Sequence, residues 1–233
     1  LSSMSGVPIS EISTGKFAQD EEKFIAVKAA MDEIKYIPYT YVSVAGAPFE
    51  NILNHIKRWV IQEVGTDENG RTNECVVVYD YLKLMSSAGI SGNIQEYQAL
   101  GFQITNLHNL AVKYDFACLA FVQLNRDGIT KESTDAVSGS DRLIWLCTSF
   151  SIFKEKSAEE LAEDGPKAGN RKLVPIVSRH GPGMHDGNYI NLRMDGDYAK
   201  LSELRTRDEF IKSGTDDAIE GAELPFEEDT NEL

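Results

Sequence analysis

Cysteine is scarce in this chain of 233 residues: Cys75, Cys118 and Cys147 stand far apart, odd in number and each within an apolar run. That excludes a disulfide framework and a paired-thiolate zinc site, and a reducing, cytoplasmic compartment is the expectation. No run approaches the roughly 18 uninterrupted apolar residues of a membrane span, and the opening residues carry no basic leader stretch. Neither membrane insertion nor secretion is expected. Bases are outnumbered by acids 23 to 37, a formal charge of −14, which excludes a basic protein that coats a polyelectrolyte. The deficit is uneven, because residues 208–233 hold ten acids and one lysine, a net of −9, and leave the body near −5. Local basic loops in that body can still meet nucleic acid. With 42% hydrophobic and 26% charged residues, the chain is long enough for one sizeable core with a small appendage.

Periodicity then places the elements. Residues 1–17 read as the end of a helix before Gly6, followed by turns at Val7-Pro8 and Gly15. Phe24, Val27, Met31 and Ile34 have helical spacing and predict a helix over 21–34. A short strand is expected over 39–45, and Pro48 opens a helix whose apolar stripe (Phe49, Ile52, Ile56, Trp59, Val60) stops at Gly65. Val76, Val77 and Val78 form the centre of a strand over 75–79 expected to be buried on both faces. A Ser/Gly loop leads to a helix over 94–114 and then to a second apolar strand over 117–123. Strand, helix and strand of these lengths make a parallel βαβ unit. A polar loop runs to about Ser138, a short helix and a strand near 149–153 follow, and a charged connector with Gly165-Pro166 precedes two strands, 172–179 and 188–194. These last two are expected to be antiparallel across Gly181-Pro182-Gly183. Beyond Leu204 apolar residues are too few for a core, and a disordered acidic tail is expected over 205–233.

The chemistry sits at strand ends. Asp80 follows an apolar strand directly, so its carboxylate reaches the carboxyl end of the sheet, where open α/β folds bind ligands. It suits either magnesium, which prefers carboxylate oxygen, or the plainer task of capping a loop. The second strand ends FVQLNR, which sets Gln123, Asn125 and Arg126 just past the apolar run. A glutamine there can hydrogen-bond a terminal phosphate or its attacking water. His180, Met184, His185 and Asp186 cluster in sequence, but their spacing matches no standard metal-ligand set.

In order, LSSMSGVPISEISTGKF, VVVYDYLKLM, FVQLNR and SRHGP resemble the carboxyl-terminal ATPase domain of DnaB-type replicative DNA helicases in a phage-like version, across about residues 1–204. The resemblance implies a RecA-like α/β domain: a mostly parallel sheet flanked by helices, an antiparallel hairpin near the carboxyl end, and an incomplete amino end. It also implies ATP and magnesium as cofactors, single-stranded DNA as partner, and assembly with copies of itself into a ring hexamer. Carried over by position, Asp80 corresponds to the aspartate that holds magnesium through water, Gln123 to the γ-phosphate sensor, and Arg179 in SRHGP to the arginine that reaches a neighbour's ATP. DNA contact falls to loops 86–93 and 127–140, with Arg126, Lys131 and Arg142 as its cations. The acidic tail then suits a polymerase, primase or loader.

Three features depart from that family. Val177 stands where its second trans lysine belongs, His180 replaces its asparagine, and Arg142-Leu143 replaces a glutamate-glutamine pair. Nothing in the chain matches GxxxxGK[ST], and Asp80 without that loop's amides and lysine supplies only the metal half of a site. The expectation is a truncated or split helicase whose isolated chain is inactive. A recombination or repair ATPase of RecA type and a non-catalytic DNA-binding or assembly module are the other readings.

Overall fold

A computed structural model of the chain describes residues 1–82, 96–123, 132, 141–181 and 183–220. They divide into two compact units, one of Leu1–Pro38, Ile152–Val174 and Met184–Leu233, the other of Tyr39–Ser151 and Pro175–Gly183. The architecture is α/β: helices accompany a two-stranded sheet β1-β2, made by Val76–Leu82 and Ala117–Val122, and a four-stranded sheet β3-β4-β5-β6. The latter's strands are Ser149–Glu155, Arg171–Ser178, Ile190–Asp195 and Lys200–Thr206.

In the unit containing Asp80, Pro48 precedes helix α4, Phe49–Trp59, and a π-helical turn over Val60–Val64 ends at Gly65. Gly65 has φ +72°, a conformation that glycine adopts without the strain a Cβ brings. Phe49 and Ile52 from α4 bury against Tyr79 and Leu82 of β1 and Leu107 of helix α5, Glu96–Tyr114. Phe49 and Tyr79 meet edge to face at 6.4 Å. Val60, Val77 and Phe116 form a second cluster beside this one. The parallel pairing of β1 and β2 is as expected, with Val77 opposite Cys118 and Tyr79 opposite Ala120. Burial on both faces is not found. Val77, Tyr79 and Leu82 are covered by α4 and α5, while Val76 and Val78 on the opposite face are 58% and 59% exposed.

Two further expectations change. Residues 39–45 form no strand, because no strand among the described residues pairs with them; Thr40 is held instead by the Trp59 indole at 3.2 Å. Parallel pairing among the described residues is confined to β1 and β2, so the sheet is not mostly parallel there: β4–β5 and β5–β6 are antiparallel. The β4–β5 ladder joins Arg171, Lys172 and Leu173 to Leu192, Asn191 and Ile190, so the connection is longer than a tight turn at Gly181–Gly183.

The other unit packs helix α1, Ser2–Ser5, near α3, Glu21–Ile34, which has the expected bounds and an Asp20 cap bonding the amides of Glu22 and Lys23. Helix α2 covers Ile9–Thr14. The connector expected between β3 and β4 is instead helix α7, Ala158–Asp164, closed by a reciprocal capping box of Ser157 and Glu160. A network of charges fixes α7 to the strands. Lys156 Nζ, wholly buried, donates to Asp164 Oδ2 at 2.6 Å, to Ala168 O at 2.9 Å and to Asn191 Oδ1. The Tyr189 hydroxyl donates to the same Asp164 oxygen at 2.7 Å, and Arg207 Nε donates to Oδ1 at 3.2 Å. Burial works against ionising Asp164, yet the Lys156 and Tyr189 hydrogen bonds and the nearby cations outweigh it and hold the carboxyl below its ordinary value.

The acidic carboxyl region departs from its expectation in part. Strand β6 extends to Thr206, and Arg207–Glu220 form helix α8. Arg207 ties the start of α8 to Asp164 and Glu163, and Asp208 meets His185 Nε2 at 2.6 Å. Too few apolar residues are compensated here by ion pairing; residues 221–233 lie outside the described residues.

Two measurements test these contacts. Lys156→Ala leaves a buried carboxylate and an amide without their donor and is expected to cost about 3–5 kcal/mol in urea unfolding. His185 is held above its ordinary pKa by the Asp186 carbonyl and then by Asp208, so its pairing stabilises below the unfolded pKa of about 6.5 and is lost as pH rises through the higher folded value. Asp208→Asn is therefore expected to lower the His185 pKa in an NMR titration and to flatten the stability profile across that window.

Candidate functional site

The site expected from the sequence lies at the carboxyl ends of β1 and β2. The register runs evenly from Val76–Ala117 to Tyr79–Ala120, shifts, and resumes at Leu82–Val122. Asp80 thus falls where the ladder is interrupted, and Gln123 is the first residue past β2. Parallel pairing puts both at the same end of the sheet, as the position of each after an apolar run predicts. Both are exposed. Asp80 does not follow its strand but lies within it, since β1 continues to Leu82.

Arg179 sits immediately after β4. Its guanidinium reaches helix α6, Asp141–Leu146: Nε donates to Cys147 O at 2.8 Å, and one terminal nitrogen donates to Ile144 O at 2.9 Å and Trp145 O at 3.1 Å. The Arg179 amide donates to Thr148 O at 3.0 Å. A helix ends with unpaired carbonyls and a partial negative charge, and a cation there satisfies both. Arg179 is therefore a helix cap in this state. Among the described residues no hydrogen bond or ion pair connects it to Asp80 or Gln123. Burial pushes the neighbouring Cys147 thiol up in pKa, and Arg179 offsets part of that.

Arg142 is exposed on α6, and its stem crosses α5 at Gly101, where a Cβ would stand 3.2 Å from the arginine Cδ. Arg126 and Lys131 lie outside the described residues. No group of three or more His, Cys, Asp or Glu side chains among the described residues is arranged to hold a metal ion. Asp80 is an exposed carboxylate at a strand end, which fits a metal bound through water; the chain offers no glycine-rich loop to fit the phosphates.

The sequence reading missed the Arg179 cap, because the contact depends on where β4 ends relative to α6. It also missed the Lys156 network, for which the capping pattern Ser157-x-x-Glu160 was the available signal.

No protein-family model matches the chain, and no curated protein sequence does either. Solved structures do. The ATPase domain of one DnaB-like helicase superposes with a TM-score of 0.69 at 14% identity, over 88% of this chain and 68% of that one. A second DnaB-like replicative helicase, studied with its interactions with primase, gives the same TM-score and identity over 88% of this chain and 46% of its own. The chain thus has the fold of a helicase ATPase domain and spans less than half the length of that second protein. No helix among the described residues is long and apolar enough to cross a membrane.

The cap has a direct test. Arg179→Ala is expected to speed amide hydrogen exchange over 143–147 by about tenfold or more while the midpoint of global unfolding moves little, and Arg179→Lys to restore part of the protection. Unchanged exchange would show that α6 holds its end without the guanidinium.

Proposed function

We propose that this chain is a portion of a replicative DNA helicase that couples ATP hydrolysis to translocation on single-stranded DNA as a ring of identical subunits. The observation that carries the reading is the placement of Asp80 and Gln123 together at one end of a parallel strand pair, in a fold shared with helicase ATPase domains. Bound Mg-ATP supplies the phosphoryl group whose transfer to water drives such a ring. Asp80 offers two carboxylate oxygens to the waters of a magnesium ion. Gln123 offers an amide that can donate to a phosphate oxygen and accept from a water, which suits a sensor of the terminal phosphate.

Arg179 is the residue for a neighbour's phosphates. To act there its guanidinium must leave the carbonyls of Ile144, Trp145 and Cys147. That exchange is feasible because the side chain is exposed and the carbonyls it leaves can turn to water. Arg142, Arg126 and Lys131 are the proposed DNA-facing cations, and the acidic carboxyl end is the proposed contact for a polymerase, primase or loader. The missing phosphate cradle gives a second reading some support, a non-catalytic DNA-binding or assembly module with the same fold.

On this reading the chain by itself binds Mg-ATP weakly and does not turn it over. Isothermal titration decides the matter: micromolar affinity or steady hydrolysis by the pure chain would overturn it. In a domain completed with a phosphate loop, Arg179→Ala is expected to abolish DNA-stimulated hydrolysis with nucleotide affinity changed only a few fold. Mixing with Asp80→Ala subunits should restore some turnover, because one interface can pair an intact Asp80 with an intact Arg179.

A further inference from the structure

The segment that the sequence marks as a strand, 39–45, carries no ladder, yet it is not a shapeless loop. Trp59 Nε1, at the last residue of α4, donates to Thr40 Oγ1 at 3.2 Å. Val44 packs on the cluster of Phe49 and Ile52, and the Ala47 amide closes a turn on Val44 O at 3.1 Å. Four residues therefore run back along α4 from Trp59 toward Ile52, about 10 Å of helix at roughly 1.5 Å per residue. Only a nearly extended chain covers that distance. Alternation of side chains follows from extension: Thr40 and Val44 face the helix, while Tyr39 and Tyr41 are turned out, 71% and 77% exposed.

Two tyrosines separated by one residue of extended chain stand about 6.6 Å apart along the backbone. That is close to twice the ~3.4 Å rise of one nucleotide in a stacked strand, so a base fits between the rings. Cations lie on the same helix, for His55, Lys57 and Arg58 are all exposed on α4. Lys57 and Arg58 make no ion pair among the described residues. In a chain with 37 acids, Tyr39 to Gln62 contain one, Glu50. Its Oε2 is shut away from solvent. Outward aromatic rings beside unpaired cations, in the acid-poor stretch of an acidic protein, match the chemistry of a stacking platform with a phosphate track. A protein partner would find the rings equally attractive but gains less from cations left free of acids.

We propose that Tyr39 and Tyr41, with Lys57 and Arg58, form a binding site for single-stranded nucleic acid, separate from the loops assigned above to DNA. Bases stack on the two rings and phosphates meet the two cations. The site requires no nucleotide hydrolysis and does not rest on the helicase reading.

The test uses the whole chain and a fluorescein-labelled oligothymidylate of about twenty nucleotides, with oligouridylate and a duplex alongside. Tyr39→Ala/Tyr41→Ala is expected to weaken anisotropy-detected binding of both single strands at least tenfold, and Tyr39→Phe/Tyr41→Phe to retain it. Lys57→Gln/Arg58→Gln is expected to flatten the dependence of log affinity on log salt by about 1.4, at about 0.7 per phosphate contact. Ultraviolet crosslinks should map to the peptide containing Tyr39 and Tyr41. The tyrosines are exposed, so circular dichroism should be unchanged. Affinity of the Tyr39→Ala/Tyr41→Ala chain within twofold of the parent overturns the proposal. So does duplex binding as tight as oligothymidylate, or self-association that those substitutions abolish while oligothymidylate still binds. Loss of binding in Arg126→Gln/Lys131→Gln/Arg142→Gln alone would overturn this site and leave the helicase reading standing.

Discussion

A lysine shut away from water holds half of this molecule in register. Removing an ammonium and a carboxylate from water costs several kcal/mol each, and the pair is tolerated only when every proton and lone pair finds a partner. Lys156 has three protons and three acceptors: Asp164, the Ala168 carbonyl and Asn191. Asn191 donates its amide to the Arg205 carbonyl at 2.9 Å, and Asp164 takes its remaining bonds from Tyr189 and Arg207. The Tyr189 ring lies 5.5 Å from Lys156, 4.9 Å from Lys172 and 5.5 Å from Arg207, which places three cations within cation–π range. Burial and the Asp164 charge keep its hydroxyl protonated. Moving any one element, α7, β5 or α8, strands a buried charge. The arrangement is thus rigid in a way that an apolar core of the same size is not.

The other unit rests on a different constraint. A parallel strand pair has its edge groups and both faces to satisfy, and such sheets are ordinarily covered on both sides. Here α4 and α5 cover one face through Val77, Tyr79 and Leu82, whereas Val76, Val78, Leu119 and Phe121 remain exposed. About a third of the helicase ATPase domain that superposes over 68% of its length has no counterpart in this chain. The bare apolar face and the unmatched third are consistent with one another, since an added helix is what would bury it. The same gap accounts for Asp80 and Gln123 standing open: they line the end of a sheet with no phosphate cradle opposite.

How far the sequence could be read depends on the range of the interactions involved. Helix α3 was legible to its last residue because Asp20 caps it and Val27 and Ala30 repeat on one face. The parallel pairing of β1 and β2 was legible because two apolar runs flank a helix. By contrast, residues 39–45 alternate like a strand yet lack a partner strand, and no local pattern reveals that. Helix α8 was hidden by its acids, whose cost is offset by Arg207 and His185, residues that gain meaning only once α7 and the 184–188 turn lie beside them. Of the site residues, Asp80 and Gln123 were placed by local signals at strand ends. Arg179 was found by motif, but its bonding to α6 joins residues more than thirty positions apart.

Charge ties these observations together. A total of −14 suggests a protein repelled by phosphate, but the total is the wrong quantity at physiological salt. Screening cuts off exposed charges beyond about 8 Å, so a ligand senses the few side chains around it rather than the sum. In the first unit several acids are directed inward or onto neighbours: Asp164 on Lys156, Glu160 on Lys172, Glu163 on Arg207 and Asp208 on His185. They stabilise the fold and leave little field outside. Lys57 and Arg58 have no such partners among the described residues, and the stretch around them is nearly free of acids. A strongly acidic chain can therefore present a locally cationic, aromatic surface, because pairing removes acids from the field that a polyanion senses.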